Sequence, residues 1–250
     1  MKFDTERYLN LLKTKNLGKN ILYLNETSST NDEVWDHIKK NDHIVIIAEN
    51  QKNGRGRRNT NWLSLSEKSL TFSLGIQLDK SNSNLIPLIS SIAIYNAIYE
   101  ICKINIGIKW PNDILCNEKK IAGILIESKL KEMKMTFNIG IGINVNWNKN
   151  DILSSNIPNI TSISLEANKN IIREIILSNF MLQIENLLLI NNDEIIQQWL
   201  ERCMHINKKV TFHYNDEIIH GLFKGIDTNG FAKIENENNK HIFSSGVIEV

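Results

Sequence analysis

Apolar and polar positions follow two rhythms along this chain. Phe3, Tyr8, Leu11 and Leu12 recur at roughly helical spacing and predict a first helix over Phe3 to Leu12. Ile21 to Leu24 reads as a short strand. Thr30-Asn31-Asp32-Glu33 has the spacing of a capping box, with Val34, Trp35 and Ile38 following on a helix. The unbroken run Ile44 to Ala48 predicts a buried strand, Leu70 to Ile76 another, and Ile86 to Ile101 a long helix. Ile108-Lys109-Trp110 ends a strand at Pro111, because proline lacks a backbone donor and restricts the residue before it. Ile114 to Cys116 and Ile121 to Glu127 form a hairpin around Asn117-Glu118-Lys119, and Phe137 to Val145 adds a strand.

Beyond these, Ile171 to Leu188 and Ile195 to Trp199 read as helices. The tail then changes character. Val210 to Phe212, Gly221 to Phe223, Phe231 to Ile234 and Val247 to Val250 are short strands separated by Asn, Asp and Gly turns. The fold expected is α+β: a mixed, largely antiparallel sheet packed with helices on one side, plus a small β-barrel beginning near Asn207.

Composition narrows the function. With 29 basic and 28 acidic residues in 250, the formal charge of +1 excludes a polycationic nucleic-acid binder, though a local basic patch remains open. Cys102, Cys116 and Cys203 form no CxxC pair and no disulfide framework, which fits a reducing cytoplasm. Met1 to Asn10 lacks the apolar core of a signal peptide, and no apolar stretch is long enough to predict a spanning helix. Four of the six histidines, His205, His213, His220 and His241, cluster in the tail and form no metal motif.

Two constellations carry chemistry. Gly54-Arg55-Gly56-Arg57-Arg58 follows a strand end, where its glycines permit close ligand approach. Its guanidinium groups suit phosphate or carboxylate oxygens. Gln51 adds an amide and Trp62 a stacking wall. A solvated loop with ordinary ion pairs accounts for the same run equally well, and its spacing is neither a dinucleotide fingerprint nor a P-loop. In Lys109-Trp110-Pro111-Asn112-Asp113, the turn brings a lysine, an amide and a carboxylate together, with Lys120 opening the next strand. A lysine ammonium can neutralise charge developing at phosphorus or an acyl carbon, and Asp113 can orient a donor or help hold Mg²⁺. A plain Pro-Asn-Asp turn between exposed lysines is the alternative. Gly123, Gly140 and Gly142 fit either a ligand slot or tight sheet packing, with Asn144 the polar candidate beside them. Ser29-Thr30-Asn31 can contact a polar head group while also serving a helix cap.

Taken in order and spacing, these segments resemble the biotin–protein ligase family, also called biotin–[acetyl-CoA-carboxylase] ligase. The segments are Ser29-Thr30-Asn31, Gln51 with Gly54 to Arg58 and Trp62, Lys109 to Asp113, Lys120 to Glu127, and Gly140 to Asn144. The resemblance runs from about Leu22 through the C-terminal module. It implies a catalytic domain over 1–206 and a small SH3-like β-barrel domain over 207–250. It also implies activation of biotin by ATP to biotinyl-5′-AMP with release of pyrophosphate, then transfer to a lysine of a biotin carboxyl carrier protein. Carried over by position, Ser29, Thr30, Asn31, Gln51 and the backbone around Gly123 bind the ureido ring of biotin. Gly54, Arg55, Gly56 and Arg57, with Trp62, order over biotin and the adenylate. Lys120 acts on the biotin carboxylate and the ATP α-phosphate, and Lys109 assists. Arg57 retains the intermediate, so its replacement leaks adenylate. Asn112, Asp113 and Asn144 organise the nucleotide and Mg²⁺. A homodimer through sheet edges is compatible with the resemblance.

Two departures accompany it. Only 28 residues precede Ser29, too few for the winged helix-turn-helix domain of bifunctional members, so a ligase without operator binding is expected. Asn59-Thr60-Asn61 stands where related loops remain basic or glycine-rich. The competing classes are a lipoate–protein ligase or octanoyltransferase, a noncatalytic biotin sensor, and a nucleic-acid regulator.

Overall fold

Seven strands form one mixed sheet in the order β1-β2-β3-β7-β6-β5-β4. They are β1 (Ile21–Thr27), β2 (His43–Gln51), β3 (Ser69–Asp79), β4 (Ile106–Lys109), β5 (Asp113–Cys116), β6 (Lys119–Lys131) and β7 (Lys134–Asn144). The structure is a computed structural model and describes residues 1–38, 42–79, 85–131, 134–215, 217–237 and 239–249. β1 runs parallel to β2, and every other ladder of this sheet is antiparallel. The helices are α1 (Thr5–Leu11), α2 (Thr30–His37), α3 (Ile86–Cys102), α4 (Lys149–Ser155), α5 (Ile163–Ala167), α6 (Arg173–Leu187) and α7 (Asn192–Arg202).

The helices do not all lie on one side, as the sequence pattern suggested. Successive strand residues face opposite ways, and β2 is apolar in both directions. Val45 and Ile47 join the large core with α3 and α6, where Phe72 meets Phe180 edge to face at 5.2 Å between centroids. Ile44 and Ile46 pack with Val34 of α2 and with Ile38, its C-cap, on the other face. A strand apolar on both faces needs cover on both, and α2 supplies the second.

Beyond α2 that second face is polar and open. On β3, Leu70, Phe72 and Leu74 enter the large core, whereas Thr71 and Ser73 point the other way beside their partners Gly142 and Gly140 on β7. Gly123 of β6 continues the row from Gly142, and Asp113 of β5 the row from Gly123. The strands thus lay down a floor of small and polar residues.

The capping box expected at Thr30 does not form. Ser29 is the N-cap and makes no side-chain cap bond, the Thr30 hydroxyl turns to Gln51 Oε1 at 3.1 Å, and Glu33 accepts from Thr27. A capping box does open α4, between Asn148 and Asp151. Neither α4 nor α5 was legible in the sequence. α4 buries none of its residues and so carries no apolar stripe, and α5 is only five residues long.

Strands β8 (Lys209–Tyr214), β9 (Glu217–Ile226), β10 (Ala232–Glu235), β11 (Lys240–Phe243) and β12 (Val247–Glu249) form a second, antiparallel sheet in the order β11-β10-β9-β8-β12. Val250, expected at the end of the last strand, lies outside the described residues. Three strand positions separate β8 from β11, about 14 Å across a flat sheet. Yet Phe212 of β8 stacks on Phe243 of β11 at 4.4 Å, so the sheet curls upon itself around its aromatic interior. Phe212 also meets Trp110 at 5.7 Å, and the Trp110 indole donates to the Gly230 carbonyl at 3.2 Å. These contacts fix the Lys109 to Asp113 turn against the second sheet. Among the described residues no helix is long and apolar enough to cross a membrane.

Candidate active site

The loop after β2 is a small hairpin standing over the polar floor. Trp62 N–H donates to the Gly54 carbonyl at 2.8 Å, Gly56 N–H donates to the Thr60 carbonyl at 2.7 Å, and Arg55 bridges Asn61. The stretch Asn59-Thr60-Asn61 is therefore the return arm of the hairpin, and Thr60 Oγ1 ties it to the Arg57 carbonyl at 2.8 Å. Arg58 at the tip is left-handed with φ 51°, a conformation disfavoured by its β-carbon. Arg55 anchors the hairpin outside, to Asp32 of α2 at 2.7 Å and Glu127 of β6 at 3.2 Å.

Beneath the hairpin lies a cavity of about 240 Å³. It brings together Ser29, Thr30, Asn31, Gln51, Arg55, Gly56, Arg57, Trp62, Lys109, Asn112, Asp113, Lys120 and Gly123 of the residues singled out from sequence. Gly54 and Asn144 do not line it. Gly54 serves the hairpin through its carbonyl. Asn144 is 3% exposed and donates to the Thr161 carbonyl at 3.1 Å. Thr161 N–H in turn donates to the Lys120 carbonyl at 3.0 Å, and Lys120 N–H to the Asn159 carbonyl at 2.7 Å. The segment before α5 thus brackets the backbone of Lys120.

The glycines settle their own ambiguity. A β-carbon on Gly142 would run into the Trp62 ring and one on Gly140 into the Asn31 amide, so both residues are needed for close approach within the cavity they line. Trp62 lies across this floor with Lys120 Nζ 5.7 Å from its ring centre.

One end of the cavity is a hydrogen-bonded cluster. Gln51 Oε1 accepts from both the backbone N–H and the hydroxyl of Thr30, at 2.8 and 3.1 Å. Ser73 Oγ sits 2.7 Å from Thr30 Oγ1 and 2.7 Å from Asn31 Oδ1. Three buried polar atoms here have no partner among the described residues: Asn31 Nδ2, Thr71 Oγ1 and Trp62 Nε1. Such orphans are rare in folded proteins, and each can donate a hydrogen bond.

The other end is charged. Lys120 Nζ pairs with Asp113 Oδ1 at 2.7 Å, and Arg57 Nη1 donates to Asn112 Oδ1 at 3.2 Å. Asn112 is clamped to β6 by its own Nδ2, which donates to the Ile124 carbonyl at 2.8 Å. Burial, then the Arg58 charge, lower the pKa of Arg57 from its ordinary value, against the opposing pull of Asp113. Even so, a guanidinium stays charged at neutral pH. Among the lining residues, Arg57, Arg58, Lys109 and Lys120 stand against one carboxylate, Asp113, while Arg55 is paired outside with Asp32 and Glu127. The arrangement selects an anion whose neutral end accepts and donates hydrogen bonds, and it can stabilise negative charge developing near Lys120.

Sequence reasoning missed Thr71, Ser73, Thr60, Asp32 and Glu127. The alternation Ser69-Leu70-Thr71-Phe72-Ser73, with a hydroxyl at every second position of a buried strand, was the signal for the first two. Asp32 and Glu127 act through Arg55, and although both fall within segments read from sequence, nothing local marks that role.

This is the architecture of an acyl-activating ligase, and comparison with known proteins agrees. Residues 23–146 match the Biotin/lipoate A/B protein ligase family, and residues 205–250 match the Biotin protein ligase C terminal domain. The chain is 30% identical over 246 residues to the bifunctional ligase/repressor BirA of Bacillus subtilis, covering 94% of this chain and 76% of that protein. It is 34% identical over 148 residues to the biotin–protein ligase of Homo sapiens, covering 55% of this chain and 20% of that one. The biotin protein ligase of Aquifex aeolicus in complex with biotin and ATP superposes with a TM-score of 0.77 at 26% identity, over 92% of this chain and 98% of that one. The chain belongs to the biotin–protein ligase family.

Proposed function

We propose that this protein activates biotin with ATP and passes the biotinyl group to a lysine of a biotin carboxyl carrier protein. The observation that carries the reading is the division of one cavity into a donor-rich end and a cationic end. The Thr30, Asn31 and Gln51 end suits a urea, which accepts at oxygen and donates at nitrogen. Lys120, Lys109 and Arg57 suit a carboxylate meeting a phosphate.

In the first half-reaction a biotin carboxylate oxygen attacks the α-phosphorus of ATP, and the bond to pyrophosphate breaks. Lys120 leaves Asp113 to stabilise the charge spread over the phosphoryl oxygens, and Lys109 adds to it. In the second, the carrier amine attacks the acyl carbon, AMP departs, and the amine gives up its proton. Arg57 and the hairpin hold the adenylate away from water meanwhile. Asp113, once released from Lys120, fits Mg²⁺, which needs one or two carboxylates beside substrate phosphates and water. That ion would offset phosphate charge. Asn112 keeps the turn in place, and Asn144 acts on Lys120 from behind.

The reading further includes a catalytic unit of residues 1–206 and an accessory module of 207–250, a cytoplasmic location in keeping with three free cysteines, and a homodimer. The test is exchange of labelled pyrophosphate into ATP, with lipoate and octanoate as controls. Exchange with biotin alone supports the reading. Its absence from folded, biotin-binding protein favours a sensor, and exchange with lipoate reassigns the substrate.

A further inference from the structure

We infer that Thr71 is a substrate-binding residue: its hydroxyl bonds the bicyclic head of the acid and contributes to selecting it. The inference rests on the proposed activation of biotin. Three observations carry it. Thr71 lines the cavity and is 3% exposed, yet its Oγ1 has no hydrogen-bond partner among the described residues. Its neighbours on the same strand face are fully engaged. Ser73 bonds the Thr30 and Asn31 side chains, and Ser69 Oγ accepts from the Trp147 indole at 2.8 Å and from Leu65 N–H at 2.9 Å. Thr71 alone of the three is left open, at the position where the floor meets the cavity.

Register then says which part of the substrate it meets. Thr71 pairs with Gly142, and Gly142 with Gly123. Lys120 Nζ would stand 3.1 Å from a β-carbon on Gly123. Two strand spacings, about 10 Å, therefore separate Thr71 from the row that holds the lysine. An acid whose carboxylate meets Lys120 places at Thr71 the far end of the molecule, not its tail. For biotin that end is the fused ring with its urea and thioether. A straight-chain acid puts only methylenes there, and leaves a buried hydroxyl unpaired. Thr71 would thus favour a heteroatom-bearing ring over octanoate, a discrimination made separately from the Thr30, Asn31 and Gln51 cluster.

The test compares wild type with Thr71→Val and Thr71→Ser, measuring biotin affinity by calorimetry and the KM for biotin in pyrophosphate exchange. Valine keeps the shape and the β-branching and removes only the hydroxyl. It should raise Kd and KM for biotin about tenfold and leave kcat and the KM for ATP near wild type. The melting temperature should stay level or rise, since no internal bond is lost, and serine should restore affinity. Desthiobiotin, which keeps the urea but lacks the sulfur, assigns the atom. A loss undiminished with desthiobiotin places the bond on the urea, and a vanished one places it on sulfur. Equal biotin affinity in wild type and Thr71→Val overturns the inference. A wild type that binds no biotin overturns the underlying reading instead, so the two failures are distinct.

Discussion

Two buried polar clusters lie on either side of the strand β2, and they are built to opposite rules. Glu49 of β2 and Arg173 of α6, 3% and 4% exposed, form a closed network. Glu49 accepts both Arg173 nitrogens, at 2.8 and 3.1 Å, and the backbone N–H groups of Phe3 and Glu67. The second hydrogens on Arg173 Nη1 and Nη2 go to the carbonyls of Ser69 and Met1, at 2.8 and 2.9 Å. The cavity floor opens the same way in sequence, with buried polar residues among aliphatics, but it leaves Asn31 Nδ2, Thr71 Oγ1 and Trp62 Nε1 unanswered. The Glu49–Arg173 pair answers its buried charges within the fold, whereas the cavity cluster, among the described residues, keeps three donors free for a ligand. Substitutions should therefore separate stability from activity according to which cluster they strike.

Arg173→Met is the largest break. It leaves Glu49 buried and uncompensated, which costs about 3–5 kcal/mol. Urea unfolding should show the loss, while exchange activity per folded molecule stays near wild type. The same cluster carries a pH signature. Burial pushes Glu49 up, but the Arg173 hydrogen bonds, then those from Glu67 and Phe3, outweigh it and hold its pKa below the ordinary 4.5. A carboxylate held low contributes stability above its unfolded pKa and loses it as pH falls through the folded value. Stability should thus decline below about pH 4.5, and Glu49→Gln should flatten part of that decline. An unchanged acid limb in Glu49→Gln would remove Glu49 from the account.

Lys120→Ala strikes the open cluster. Adenylation should fall about 10²–10³-fold, the range for losing one group aimed at developing charge. Unfolding should shift by no more than about 1 kcal/mol, because the pair with Asp113 is partly exposed. Near-normal exchange in a folded variant would sink the catalytic assignment. Gly142→Ala is subtler. Its methyl group collides with Trp62 and should raise the KM for biotin several-fold, with tryptophan fluorescence reporting the displaced indole.

Legibility in the sequence followed the same division. Long apolar runs announced β2, β3, β7 and α3, because burial writes period two or an unbroken run into a strand and period 3.6 into a helix. Gly54 to Arg58 and Lys109 to Asp113 announced the cavity only together and in order with the other segments, because each alone reads equally as a solvated loop or a plain turn. What could not be read was context. Whether Gly142 packs or lines depends on Trp62, 80 positions before it in sequence. Asn144 read as a pocket residue because its amide looks the same whether it meets a ligand or the Thr161 carbonyl. Thr30 looked like a cap because its competitor, Gln51, lies on another element.

Arg55→Ala is the smallest break and sharpens the comparison most. Arg55 belongs to neither buried cluster: its side chain is 44% exposed and its ion pairs with Asp32 and Glu127 face solvent. Such pairs contribute between about 0 and 1 kcal/mol, so unfolding should scarcely move. They do, however, join the hairpin that stands over the cavity to both α2 and β6. Weakening them should speed escape of biotinyl-AMP a few-fold without altering its formation. Salt offers an internal control, because exposed pairs are screened within about 10 Å at 0.1 M ionic strength. Wild type at high salt should approach the escape rate of Arg55→Ala, while the variant stays nearly salt-independent. Parallel salt slopes in the two proteins would mean that the Asp32 and Glu127 pairs do not hold the hairpin in place, and that Arg55 acts through the ligand instead.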